Sequence, residues 1–504
     1  MADKRCIIQW VWPRRWKILL AACAAAALAL TLALTLRGGS DAEPSVSPRL
    51  LQAAEGLNRY ELTLRLIPED HTLALTETLI YRNATGETLD HLVLRTWINA
   101  FQTEDTSPAA AEELFEACYP DGFSAGGLRL YDVTWNGERA AYAYLDDAMT
   151  ALKIDVPPLA PGEEGTLLLR CVETIPPCAY RTGYVGSAYQ LGHVIPLLSR
   201  WEAGAWRQDP YSPVGDPFLS DCADFSLALH LPKELGTPAC SCPLAQDEDG
   251  AWRGEALAAR DVALYVDPDA VWASGRAGNA AVYSLAKTEA GAKRALEDAR
   301  QALDVYSGLY GEYPYPSLTV CSADFPFGGM EYPGLIMIGE SNYLDSRADT
   351  LELTVAHETA HQWFYALVGS DQVNDPWQDE ALCEYAMLRY VKQRYGQGSF
   401  DTLKSFRVDA PMRESHLGSL TPGSPIDYFS SLSDYAAVVY GRGAALMLAL
   451  DEMLPGGLDA FLRAYAEKFA FGYATRQDFE DVLNAYAAAD LTPLLVDYLD
   501  TVMD

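Results

Sequence analysis

The chain has 504 residues, 49% hydrophobic and 21% charged, a composition that excludes a low-complexity or disordered protein. Its 37 basic and 70 acidic residues leave a formal net charge of −33, which argues against nucleic acid as a partner because phosphate binding needs a basic surface. At roughly 150 residues per domain the length accommodates about three domains.

The first element is apolar. Residues 18–36 carry no charge, and a run of about 20 apolar residues spans a bilayer as a helix. Lys4, Arg5, Arg14, Arg15 and Lys17 precede it, among Trp10, Trp12 and Trp16; only Arg37 follows before the chain turns acidic. Positive charge on the N-terminal side predicts a cytoplasmic segment at 1–17, a transmembrane helix at 18–36 and an extracytoplasmic remainder. A cleaved signal peptide has an apolar core of only about 7–15 residues, so the length favours an uncleaved, single-pass membrane anchor.

Residues 37–56, rich in Gly, Ser, Pro and Ala, read as a linker. From Tyr60 the texture is that of strands. Tyr60, Leu62, Leu64 and Leu66 alternate with polar residues, and alternating stretches separated by Gly, Pro and Asn recur to about Val266. This predicts an antiparallel β-sandwich or saddle over 57–270. Eight cysteines follow the anchor region, and Cys171/Cys178 and Cys222 with Cys240 or Cys242 are candidate disulfides; small buried thiols are the alternative.

Over 271–504 the pattern becomes mostly helical. Ala295, Leu296, Ala299, Leu303 and Tyr306 mark one helix, strands follow at 317–323 and 335–339, and helices dominate from Thr350 onward. The fold class is therefore multidomain α+β, a β domain followed by an α-rich domain with a small sheet.

The chemistry concentrates at His357-Glu358-Thr359-Ala360-His361. Residues four apart share a helix face, so both imidazoles can reach one ion, and Glu358 can take a proton from metal-activated water. Leu351, Val355, Trp363, Phe364 and Leu367 predict that the helix runs on to a stop at Gly369. A catalytic zinc site needs a third protein ligand and an open position. Glu380, nineteen residues after His361 at the start of a second helix, supplies it, which predicts one zinc ion per chain. Asp379 is placed to orient a ligand. Glu384 either contacts one of the histidines or is a solvated carboxylate. Cys383 has no nucleophilic role, since activated water makes one unnecessary.

HExxH followed by eighteen residues and Glu resembles the zinc signature of the gluzincin aminopeptidases, the family of alanyl and leucyl aminopeptidases and leukotriene hydrolase. Gly328-Gly329-Met330-Glu331-Tyr332 resembles the family's GxMEN strand, with Tyr332 in place of Asn. Tyr440-Gly441-Arg442-Gly443 resembles its later tyrosine motif, with Tyr435 as a secondary candidate. The resemblance implies a thermolysin-like catalytic domain in which Glu331 receives the substrate's free α-amine. It implies that Gly328, Gly329 and Met330 pair with the peptide, and that Tyr440 donates to the oxyanion. Tyr332 then bears on the shape of the S1 pocket. Only 64 residues follow Tyr440, so the resemblance implies a short form without the C-terminal helical-repeat domain and with a more open cleft. The expected function is a zinc aminopeptidase acting at the extracytoplasmic face on peptides with a free N-terminus. The alternatives are a broader metallopeptidase with endopeptidase activity and a catalytically silent, membrane-anchored accessory protein of the same fold.

Overall fold

A computed structural model describes residues 46–413, 417 and 419–502. The expected cytoplasmic segment and transmembrane helix lie outside these residues. Among the described residues no helix is long and apolar enough to cross a membrane. The expected linker is corrected at its end, where α1 (Pro48–Ala54) forms. Ser47 Oγ accepts from Leu50 N at 3.1 Å and Pro48 opens the first turn, a cap-and-proline start. Leu50 anchors the helix in the core of the second half.

The first half is built on an eight-stranded sheet. Its centre contains β1 (Arg59–Ile67), β2 (Thr72–Arg82), β3 (Glu164–Thr174) and β4 (Ala223–His230). Alternate residues of β1 are buried, as the period of two requires. β1 pairs antiparallel with β2 but parallel with β4, so the sheet is mixed where antiparallel pairing was expected. The two parallel strands are far apart in sequence, and the long connection between them permits this. Leu62 and Leu64 from β1 and Leu167 and Leu169 from β3 pack with Leu92, Leu94 and Ile154 of a second, four-stranded sheet.

The expected disulfides are not formed. Cys171 belongs to the core between the sheets and Cys178 to a different cluster. Cys222 lies in the core of the second half, whereas Cys240 and Cys242 lie in the β core with their sulfurs 3.7 Å apart. The eight cysteines of the described residues are free and buried.

The second half opens with β5 (Val271–Ala277) and β6 (Ala280–Ala286). With β7 (Ser317–Ala323), β8 (Gly329–Met330) and β9 (Leu335–Gly339) they form a five-stranded sheet in the order β5-β6-β7-β9-β8. β8 is the edge strand, antiparallel to β9. Helix α2 (Glu289–Tyr310), capped by Thr288 Oγ1 on Gly291 N, buries Ala295, Ala299, Leu303 and Tyr306 in the same core as α3 (Ala348–Ala360) and α4 (Trp377–Tyr395). Tyr306 Oη donates to Ala356 O at 2.9 Å and ties α2 to the helix that bears the histidines. A separate cluster, including Tyr180, Phe218, Tyr265, Leu285, Met330 and Tyr332, fills the space between the two halves.

The histidine helix is shorter than expected. It ends at Ala360, and the next turns are distorted, with Phe364 at φ −106°, ψ 54° and Tyr365 at φ 176°, ψ −68°. Buried Arg260 from the β half causes this locally: its Nε donates to Tyr365 O at 2.7 Å and its guanidinium occupies the space beside Gly369. Gly369 N, which would bond Tyr365 O in a continued helix, donates instead to Gly472 O at 3.1 Å, so the ladder is interrupted there. The chain is thereby released to turn back into α4.

Candidate active site

α3 presents His357, Glu358 and His361, and α4 presents Glu380 in its first turn. His357 Nε2 and His361 Nε2 are 3.1 Å apart, and Glu380 Oε2 lies 3.2 Å from the first and 3.5 Å from the second. Ligands about 2.0–2.1 Å from one tetrahedral ion are separated by about 3.3–3.4 Å. The three buried donor atoms thus have the spacing of the three protein corners of a zinc site. Two ring nitrogens that face each other across 3.1 Å beside a carboxylate oxygen fit a shared metal better than they fit one another.

Each histidine is backed by a carboxylate on α4. His361 Nδ1 lies 2.5 Å from Asp379 Oδ1, and Gln372 Nε2 donates to the other oxygen of Asp379. Glu384, fully buried, places Oε2 at 3.6 Å from His357 Nδ1. The loop before α4 is fixed from the β half, because Arg207 Nη1 donates to Asp371 Oδ2 at 2.8 Å. Cys383 is buried beside these groups, and burial pushes its thiol up, so it stays protonated.

The cleft above these groups has a volume of about 420 Å³. Glu331, Glu358 and Tyr440 line it with the metal donors, as do Gly328 and Gly329. Burial pushes Glu358 up to about 7, although His357 and His361 oppose the shift. The edge strand β8 lies directly over this carboxylate: a Cβ on Gly329 would stand 2.3 Å from Glu358 Oε1. Glu331 is buried with Oε1 unpartnered among the described residues, and burial together with the nearby negative charge of Asp216 raises its pKa.

Met330 was expected to pair with the peptide along the strand, a backbone role, and its side chain is buried away from the cleft. Successive side chains of a strand point to opposite faces. Gly329 and Glu331 face the cleft, so Met330 and Tyr332 are buried in the cluster behind the strand. Tyr332 therefore does not shape the cleft. Its hydroxyl lies under Gly192 of the β half, where a Cβ would stand 1.8 Å away. Gly192→Ala should destabilise the fold by about 1–3 kcal/mol, the usual cost of overpacking. Combining it with Tyr332→Phe should recover part of that loss in denaturant unfolding, and a wild-type midpoint for Gly192→Ala would refute the contact.

Tyr440 sits on the irregular turn Ala436–Arg442. Its ring stacks on His357 with centroids 5.5 Å apart and meets Tyr435 edge-on at 5.7 Å. Burial pushes its hydroxyl up, so it remains a proton-bearing donor. Gly443 lets the turn approach Ala381 of α4, since a Cβ would be 2.6 Å from that residue's Cβ.

Among the lining residues that escaped sequence reasoning are two from the β half. Asp216 and Arg181 are buried and paired at 2.6 Å on the wall that holds Glu331. Arg181 is also flanked by the rings of Tyr180, Phe218 and Phe327 at 5.5–5.7 Å. Neither Arg181 nor Asp216 belongs to a motif in the sequence.

Residues 294–499 match the peptidase family M1 domain. They are a family M1 peptidase domain. Aminopeptidase RNPEPL1 of Mus musculus is 30% identical over 196 residues, 36% of this chain and 26% of that protein. Aminopeptidase N of Lactobacillus delbrueckii subsp. lactis is 28% identical over 239 residues, 44% of this chain and 28% of its own length. Leukotriene A-4 hydrolase of Xenopus laevis is 27% identical over 227 residues, 43% of this chain and 35% of its own. The matched region thus spans about a third or less of each of these relatives. The M1 zinc metallopeptidase of Deinococcus radiodurans, in a structure bound to a Tyr-Ser-Ala substrate, superposes with a TM-score of 0.61 at 19% identity, over 88% of this chain and 94% of that one. It shares the fold of both halves.

Proposed function

We propose that the protein is a zinc aminopeptidase that removes N-terminal residues from peptides. The observation that carries this reading is Glu331: a buried carboxylate with an unpartnered oxygen in the cleft that holds the metal donors. A protonated α-amine pairs with it, and an internal peptide bond leaves it buried without a partner. Asp216 supplies a second negative group on the same wall, with Arg181 offsetting its charge.

His357, His361 and Glu380 hold the zinc ion, which when bound polarises the scissile carbonyl and acidifies water. Glu358 accepts the proton of the attacking water and passes it to the leaving amine. Burial keeps its proton affinity near neutrality, which suits a group that must both take and give. Tyr440 Oη donates to the carbonyl oxygen as it gains charge. Gly328 and Gly329, without side chains, let the substrate backbone lie along the edge of the sheet.

The uncharged run at 18–36, with basic residues before it, supports a single-pass anchor with the catalytic part outside the cytoplasm. Protease protection of a tagged full-length chain in intact cells checks this orientation.

The test of the activity compares aminoacyl substrates with their N-blocked equivalents. Glu331→Gln should lower kcat/KM on free-amine substrates by about 100-fold, the loss of a buried charge pair of roughly 3 kcal/mol. Blocked substrates should be cleaved poorly by both proteins. Equal loss on both, or efficient cleavage of blocked peptides by the wild type, would favour an endopeptidase instead.

A further inference from the structure

The two metal-facing histidines are supported in different ways. Behind His361 stand Asp379 and then the neutral Gln372. Behind His357 stands Glu384, and behind Glu384 is Arg407, the last residue of helix α5 (Gln397–Arg407). Its Nε donates to Glu384 Oε1 and its Nη2 to Glu384 Oε2, both at 2.7 Å. This is a two-pronged guanidinium–carboxylate contact, which fixes orientation as well as position. The Glu384 side chain is 0% exposed and that of Arg407 45% exposed. A buried carboxylate is thus held by a cation that reaches it from the cleft wall.

His357 turns Nε2 toward the other metal donors, and its Nδ1 has no hydrogen bond among the described residues. Glu384 Oε2 is the carboxylate oxygen that faces it. A metal-bound imidazole needs an acceptor on its second nitrogen to fix tautomer and ring angle. Glu384 can serve only if its own rotation is stopped, and nothing on α4 does that. We propose that Arg407 is a positioning residue of the zinc site, locking Glu384 so that it orients His357 toward the ion. The proposal rests on the metal-site reading above, but not on the identity of the substrate. Lysine offers a point charge without the fork and should support the site only in part.

The test uses the zinc-loaded full chain with Arg407→Ala, Arg407→Lys, Glu384→Gln and the double variant Arg407→Ala/Glu384→Gln. Zinc release to a chromogenic chelator is timed, and the visible spectrum of the cobalt(II)-substituted protein is recorded. Arg407→Ala and Glu384→Gln should each release zinc about 10–100-fold faster than wild type and alter the cobalt spectrum. Arg407→Lys should lie between, and the double variant should be little worse than either single one. Arg407→Gln, which keeps the length of the stem, replaces the alanine variant if that protein melts early. Wild-type release and spectrum in the arginine variants would overturn the proposal, as would fast release in them with a wild-type rate in Glu384→Gln. These readouts need no substrate. Wild-type protein that binds zinc but lacks aminopeptidase activity would end the functional proposal and leave this one standing.

Discussion

Replacing Glu77 and Glu173 together by glutamine should raise stability at about pH 7.5 and flatten its decline between about pH 5 and that value. Both residues occupy core-facing positions, Glu77 on β2 opposite Leu169 and Glu173 on β3 opposite Leu73. Both are 0% exposed, and none of their four carboxyl oxygens has a partner among the described residues. Burial pushes both well above the ordinary carboxylate range, and for Glu173 the charge of Glu77 adds to it. The folded protein therefore keeps protons that the unfolded chain releases above about pH 4.3. When the folded state binds more protons, stability falls as pH rises, here by about 1.4 kcal/mol per pH unit for each group until its folded pKa is passed. Glutamine binds no proton in either state, so the double variant loses both contributions. Denaturant unfolding of wild type and variant across this range measures the difference. Parallel stability curves would mean that both carboxyls are already ionised in the fold.

What was legible in the sequence was what repeats locally. The alternation of Tyr60, Leu62, Leu64 and Leu66 gave away β1, and the four-residue spacing of His357 and His361 gave away the metal face of α3. Glu380 could be added because a helix start follows a turn rich in Asn, Asp and Pro. Features that depend on distant chain were not legible. The break at Phe364 and Tyr365 is made by Arg260, 105 residues away, and no property of the helical stretch announces it. The parallel pairing of β1 with β4 joins strands whose patterns suit either direction. Asp216, Arg181 and Arg407 are ordinary charged residues until folding places them around one cleft. Met330 is a different case. Its place in a strand beside Glu331 implies a side chain on the opposite face, while its backbone stays on the edge strand.

Glu358→Gln should lower kcat on free-amine substrates by about 10²–10⁴-fold, the usual contribution of a positioned general base, while the protein keeps one zinc ion. Glutamine retains the volume and one oxygen of the side chain but cannot take a proton from water. The metal should stay because the closely spaced nitrogen and carboxylate donors belong to His357, His361 and Glu380. Gly329→Ala probes the same carboxylate from the other side. Its Cβ would stand within 2.3–2.4 Å of the carboxyl and Cγ atoms of Glu358, so either the strand or the acid must move. The two changes should not be additive, since displacing a base that has already been removed costs nothing further. Steady-state rates on aminoacyl substrates and zinc content per chain check all three proteins. Loss of zinc from Glu358→Gln would make that residue a ligand, and retention of more than about a tenth of the activity would remove it as the base. A Gly329→Ala loss that multiplies fully with that of Glu358→Gln would instead place the role of the glycine in substrate pairing along β8 and leave Glu358 undisturbed by it.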